Sequence, residues 1–93
     1  MNAAFVIKMP KRFDYSSGAD FNNAVNSALE KPDVITLDCA DLDYIDSAGI
    51  GLLVMAQKKA QARSSKIIMT NLKAAPREII SLANLQKFIE IQH

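Results

Sequence analysis

Asp41-Leu42-Asp43-Tyr44-Ile45-Asp46-Ser47-Ala48-Gly49-Ile50-Gly51-Leu52-Leu53 is the stretch on which the reading of this chain turns. Its first half carries Asp41, Asp43 and Asp46. Aspartate competes for backbone hydrogen bonds and favours turns, so this half reads as a connector. From Ser47 onward no proline interrupts the chain until Pro76, and a helix from Ser47 to about Ser64 is expected, with Ser47 as its N-cap. Placed at about 100° per residue, Gly49, Leu52, Leu53, Ala56 and Ala60 fall on one side, where small residues permit close packing. Gln57, Lys58 and Gln61 fall on the opposite, wet side. Ile50 and Val54 lie there too, one and two turns beyond Ser47. They are either a binding patch or a surface covered by a neighbouring element.

Upstream, Ala4 to Met9 reads as a strand ended by Pro10, which cannot donate to a sheet. Ser17 with Asp20 three residues on has capping-box spacing. Behind it Phe21, Ala24, Val25, Ala28 and Leu29 recur at helical spacing, and this helix ends near Lys31-Pro32. Val34 to Cys39 is a short apolar, partly β-branched run, read as a buried strand. Downstream, Lys66 to Thr70 reads as another strand. Pro76 stands in the first turn of a third helix that continues through Ile79, Ile80, Leu82 and Ala83. Asn84 suits a left-handed C-cap, and Phe88 to Ile91 is the last strand. This alternation predicts an α/β (or α+β) fold, a central mixed sheet of about four strands flanked by three helices.

The totals bound the rest. With 93 residues the chain is expected to be one domain spanning 1–93. Eleven basic against ten acidic residues argue against a phosphate-backbone binder, so nucleic acid is not an expected partner. Cys39 is the only cysteine, which excludes an internal disulfide and a cysteine cage for zinc, and its setting predicts a buried, inert thiol. No apolar stretch after Met1-Asn2-Ala3-Ala4 has the length of a signal peptide or membrane span, so a cytoplasmic protein without a membrane partner is expected.

Ser47 admits two readings. In one, its hydroxyl accepts a backbone N–H of the first helical turn and does nothing further. In the other it is a phosphoacceptor. A phosphate adds about −1.5 to −2 charge, which the free N–H groups and dipole of a helix start tolerate. A partner seated on Ile50 and Val54 would then meet a hydrated dianion at its edge.

The quoted stretch resembles the signature of STAS domains, in particular the bacterial anti-sigma factor antagonists. That family carries Asp-Leu, a spacer, then Asp-Ser-(Ser/Thr/Ala)-Gly-(Leu/Ile)-Gly at the head of a helix. The likeness runs from about Phe13 to Ile91, with Arg12-Phe13-Asp14 where the family has Leu-Asp and Ala83-Asn84-Leu85 where it has Ser/Thr-Gly-Leu. It implies that Ser47 is phosphorylated by an anti-sigma factor that is also a serine-protein kinase, and that a metal-dependent serine phosphatase reverses the mark. It further implies that Asp46 neighbours the acceptor, and that Asp14 and Ile50 lie on the partner surface. Val54 and Lys58 extend that surface along the helix. The unphosphorylated form would bind the partner and the phosphorylated form release it, the protein itself being a monomer. A different outcome within the family is a constitutive subunit of a larger assembly, such as a lipid-transport ABC complex. The chain departs from the pattern in offering one strand ahead of Asp14, where the family commonly has two.

No catalytic residue, cofactor or metal is expected. Asp41, Asp43 and Asp46 lack the nearby lysine and threonine that a phosphoryl-accepting aspartate site would bring. Gly49-Ile50-Gly51 lacks a third glycine and begins inside a helix, unlike a dinucleotide loop. A Ser-His-Asp triad would need His93, the last residue. Met55 and Met69 read as packing residues. Lys58, Lys59 and Arg63 form a basic stretch, either a solvated face or a steering patch for an acidic partner.

Overall fold

The computed structural model describes residues 5–31 and 34–92; Met1 to Ala4, Pro32 and His93, named in the expectations above, lie outside them. In chain order the elements are β1 (Phe5–Lys8), β2 (Arg12–Phe13), α1 (Gly18–Ala28), β3 (Val34–Asp38), β4 (Tyr44–Ile45), α2 (Ser47–Ala62), β5 (Lys66–Thr70), α3 (Ala74–Leu82) and β6 (Glu90–Ile91). Single 3-10 turns at Tyr15–Ser17 and Leu85–Lys87 precede α1 and β6. Four strands form the main sheet in the order β1-β3-β5-β6, and β2 pairs with β4 in a separate two-stranded ribbon. Two strands, not the expected one, thus precede Asp14, the second being a two-residue strand that exists only through its pairing with β4. The four strands and three helices match the expected α/β plan. Each ladder between described strands is parallel, so the expected mixed pairing does not extend to these strands. The reason lies in the connections, each of which carries a helix and permits a crossover.

Side chains on β3 alternate as a strand with one well-covered face requires. Ile35 and Leu37, followed by Cys39, are buried, while Val34, Thr36 and Asp38 are half-buried. Ile7, Leu37 and Met69 stand at matching register across three strands, and all three belong to the core. Phe21, Val25, Ala28 and Leu29 of the first helical segment join that core, with Ala24 half-buried beside it. At the end of α3, Asn84 adopts the left-handed conformation (φ 57°) expected of it.

Both helix starts are shifted from their expected caps. The capping box before α1 is made by Asp14 and Ser17 around the 3-10 turn. Ser17 makes no side-chain cap bond to α1 itself; its hydroxyl donates to the Arg12 carbonyl oxygen (3.1 Å). For α2 the N-cap is Asp46, whose Oδ1 accepts the Gly49 N–H at 2.9 Å. Ser47 is therefore the first residue inside the helix.

Gln57 corrects the expected division of α2 into faces, since it is buried and not wet. Helix geometry explains this. Leu52 approaches Gly18 of α1, and Lys59 and Arg63 reach Asn26 and Leu29 on the same side. Gln57 lies on the opposite flank with Ile50 and Val54, which pack half-buried against the core. The Gln57 Oε1 meets no donor among the described residues. An unpaired buried acceptor costs about 1–3 kcal/mol, so Gln57→Leu is expected to raise stability by about 1 kcal/mol in urea unfolding. An unchanged or lower midpoint would mean that water already satisfies the oxygen.

Candidate functional site

The β2–β4 ribbon brings the site together. Arg12 is in register with Tyr44 and Phe13 with Ile45, and the Lys11 carbonyl oxygen accepts both the Asp43 N–H (2.8 Å) and the Tyr44 N–H (3.1 Å). The chain leaves this ribbon at Asp14 on one strand and at Asp46 on the other. Two cap carboxylates thus stand at one end of the same ribbon, with Ser47 directly after the second.

Gly49 lets α2 begin this close. A Cβ there would come 2.5 Å from the Phe13 carbonyl oxygen and 2.9 Å from Ile45 Cγ1, so only glycine seats the first turn against both strands. Phe13 is fully buried, and its ring meets Phe21 edge-on at 4.9 Å between centroids. The base of the site is therefore a rigid part of the core.

Around that base the polar groups are ordered. Asp14 accepts from the Ser16 N–H (3.0 Å), the Ser16 hydroxyl (2.5 Å) and Arg12 Nε (3.1 Å). The Ser16 hydroxyl foremost, with help from the Arg12 guanidinium, holds the Asp14 carboxyl below its ordinary value. The same guanidinium lies 4.2 Å from the centroid of the Tyr44 ring, within cation–π range. Ser47 is exposed and Asp46 half-buried. Because Asp46 takes the Gly49 N–H, the Ser47 and Ala48 N–H groups are left without intrahelical acceptors at the positive end of the helix dipole. A phosphate on Ser47 would therefore meet free donors as well as two neighbouring carboxylates.

Beyond Ser47, the residues Gly51, Val54, Met55 and Lys58 share its outward arc of about 100°. Gly51, Met55 and Lys58 are exposed and Val54 is half-buried. Ile50, expected beside the acceptor on the wet side, turns from this arc toward the core. Met55, read from sequence as packing, is instead 53% exposed, whereas Met69 is fully buried. Tyr15, 82% exposed next to Asp14, escaped the sequence reading, because no periodicity marks a residue in a single 3-10 turn. Lys59 and Arg63 lean on α1, which leaves Lys58 as the outward cation of the basic stretch. Of the connector aspartates, Asp43 pairs with Lys73 at 2.6 Å, a bond that lowers its carboxyl pKa. Cys39 is buried, as expected.

Comparison with known proteins identifies the family and the fold. The STAS domain family profile matches residues 2–93. A STAS-domain containing protein of Pseudomonas aeruginosa (strain UCBPP-PA14) is 25% identical over 85 residues, which is 91% of this chain and 84% of that protein. The anti-sigma factor antagonist SpoIIAA in its unphosphorylated form has a TM-score of 0.81 at 17% identity, covering 100% of this chain and 83% of that one. The phosphorylated form of the Bacillus cell fate determinant SpoIIAA has a TM-score of 0.72 at 17% identity, over 100% of this chain and 86% of that one. A sulfate transporter family protein from Wolinella succinogenes has a TM-score of 0.81 at 13% identity, over 90% of this chain and 69% of that one. These structural likenesses concern the fold alone. With a family profile that spans nearly every residue, this chain belongs to the STAS domain family.

Proposed function

We propose that this protein is a phosphorylation-switched binding module of the anti-sigma factor antagonist type, acting in the bacterial cytoplasm as a single-domain monomer without enzymatic activity of its own. Unphosphorylated, it binds an anti-sigma factor that is also a serine-protein kinase. Phosphorylation of Ser47 releases that partner, and a metal-dependent serine phosphatase restores the binding form. The observation that carries this reading is the exposed Ser47 at the first position of α2, one residue past a cap that does not need its hydroxyl. In this reading the partner surface takes in Asp14 and Asp46 at the acceptor's end of the ribbon and runs along the outward face of α2 through Val54 and Lys58, with Ile50 at its margin. Further support comes from SpoIIAA, whose structure is solved in unphosphorylated and phosphorylated forms on this fold.

The likeness to a sulfate transporter family protein favours a second reading, a permanent subunit of a transport assembly such as a lipid-transport ABC complex. Intact mass of the protein isolated from its own cells separates the two. A population heavier by one phosphate, mapping to Ser47, is expected of the switch. Unmodified Ser47 in growing, starved and stressed cells would leave the subunit reading in its place.

A further inference from the structure

The edge strand β1 carries both a protruding apolar ring and a hollow that suits one. Met9 donates its N–H to the Asp38 carbonyl oxygen at 2.9 Å. In an extended strand the N–H and C=O of one residue point the same way, and the direction alternates along the chain. Phe5, Ile7 and Met9 therefore bond toward β3, while Val6 and Lys8 turn their N–H and C=O groups outward, where no described strand lies. Two apolar side chains stay uncovered on this edge, Phe5 at 44% and Val6 at 55% exposure. Phe5 projects from the same face as Ile7 and Met9. On that face, beside β1, lies a groove of about 400 Å3 lined by Ile7, Met9, Phe13, Phe21 and Ala24.

We propose that two copies of this chain pair reversibly through β1, antiparallel about a two-fold axis, with Phe5 of each copy seated at the groove of the other. In such an interface one patch meets itself. Three registers set outward-bonding residues opposite one another. Centred on Lys8, the two ammonium groups face each other directly and repel. Centred on Val6, Phe5 of one copy stands opposite Ile7 of the other; centred on Ile7, it stands opposite Met9. Cross-strand neighbours project from the same face, so in both remaining registers the ring comes over a residue that lines the groove. Val6 meets the other Val6 or the stem of Lys8 and is covered as well. A strand from another protein would fill one groove and leave Phe5 bare, whereas a second copy fills both grooves and covers both rings. Lys8 and Pro10 blunt the far end of the edge, which confines pairing to a few residues. So short an edge covers less than the roughly 1,200–2,000 Å2 of a stable complex. Single and paired copies therefore exchange, and the single copy stays available to the partner proposed above.

This surface is distinct from Ser47, so pairing stands or falls independently of the switch. Sedimentation equilibrium of the full chain is the test. The average mass is expected to rise from that of one chain towards that of two across the micromolar to millimolar range, with amide exchange at Val6 and Lys8 slowed in the concentrated sample. Val6→Lys sets ammonium groups opposite one another in both registers and should weaken pairing by about tenfold. Phe5→Ala, which leaves the grooves empty, should weaken it similarly. An isotope-filtered NMR experiment on mixed labelled and unlabelled wild-type chains should show the Phe5 ring of one copy against methyl groups of Ile7, Met9 or Ala24 of the other. That measurement needs no variant, so it decides the matter even if a substitution unfolds the chain. A constant mass up to millimolar concentration, pairing indifferent to Val6→Lys in a folded variant, or no contact between the ring and those methyl groups would each overturn the proposal.

Discussion

Phosphoserine at position 47 is expected to weaken partner binding by about 10²–10⁴-fold, roughly 3–5.5 kcal/mol, the range needed to turn a mostly bound population into a mostly free one. The site has the means. A group of about −1.5 to −2 charge would be added beside Asp46 and near Asp14, at a place where the one guanidinium of the ribbon is already engaged by Asp14. Desolvating such a group without a cation costs several kcal/mol. Ser47→Ala is expected to leave both fold and affinity intact, because the cap belongs to Asp46. Ser47→Asp adds a single charge and should lose at least tenfold in affinity, less than the phosphate does. Calorimetric titration with a purified anti-sigma factor kinase of the proposed type measures all three forms. Equal affinity for the alanine and aspartate variants would remove the switch.

Replacing Gly49 by alanine is expected to destabilise the fold by about 2 kcal/mol, whereas the same change at Gly51 should stabilise it by about 0.5–1 kcal/mol. In both places alanine gains helix propensity worth up to about 1 kcal/mol. At Gly51 nothing lies within 4 Å of the added Cβ, so the gain stands alone. At Gly49 the obstruction is a backbone oxygen 2.5 Å away, fixed by the pairing of Phe13 with Ile45, and no rotamer change relieves it. Overpacking of this kind costs about 1–3 kcal/mol and occasionally more. Urea midpoints of the two variants should move in opposite directions. A shift of the same sign in both would mean that α2 does not seat against β2.

The main elements were legible because their side chains repeat at the spacing of the structure that they form. Val34 to Cys39 is a short apolar, partly β-branched run of strand length, and Phe21 to Leu29 recurs at helical spacing. The β2–β4 ribbon was not legible, since a two-residue strand has no period and exists only through its distant partner. The caps were displaced for a related reason. Ser and Asp cap about equally well, so local sequence could not choose between Asp46 and Ser47; the seat of Gly49 on β2 supplies the choice. Placement at about 100° per residue sets Gln57 on the wet side with Lys58 and Gln61, yet α2 is covered by the core on one flank and by α1 on the other. Resemblance to a family implies only that Asp14 lies on the partner surface. That its carboxylate stands at the same end of the ribbon as Asp46 follows from the parallel register of Arg12-Phe13 with Tyr44-Ile45, which local sequence does not show.

Cys39 ends on a practical property of this molecule. Its thiol is wholly shielded, donates to the Leu37 carbonyl oxygen at 3.4 Å, and is pushed up to about 12 mainly by burial. The thiolate is the nucleophile that attacks alkylating reagents, so the native state is inert to them and only an opened chain reacts. With one sulfhydryl in 93 residues, the rate of labelling counts openings of the sheet without competing signals. A bound partner that closes the chain slows that rate by the factor 1 + [L]/Kd. The protein thus carries its own affinity gauge, readable by mass in a crude mixture with no added probe on the binding surface.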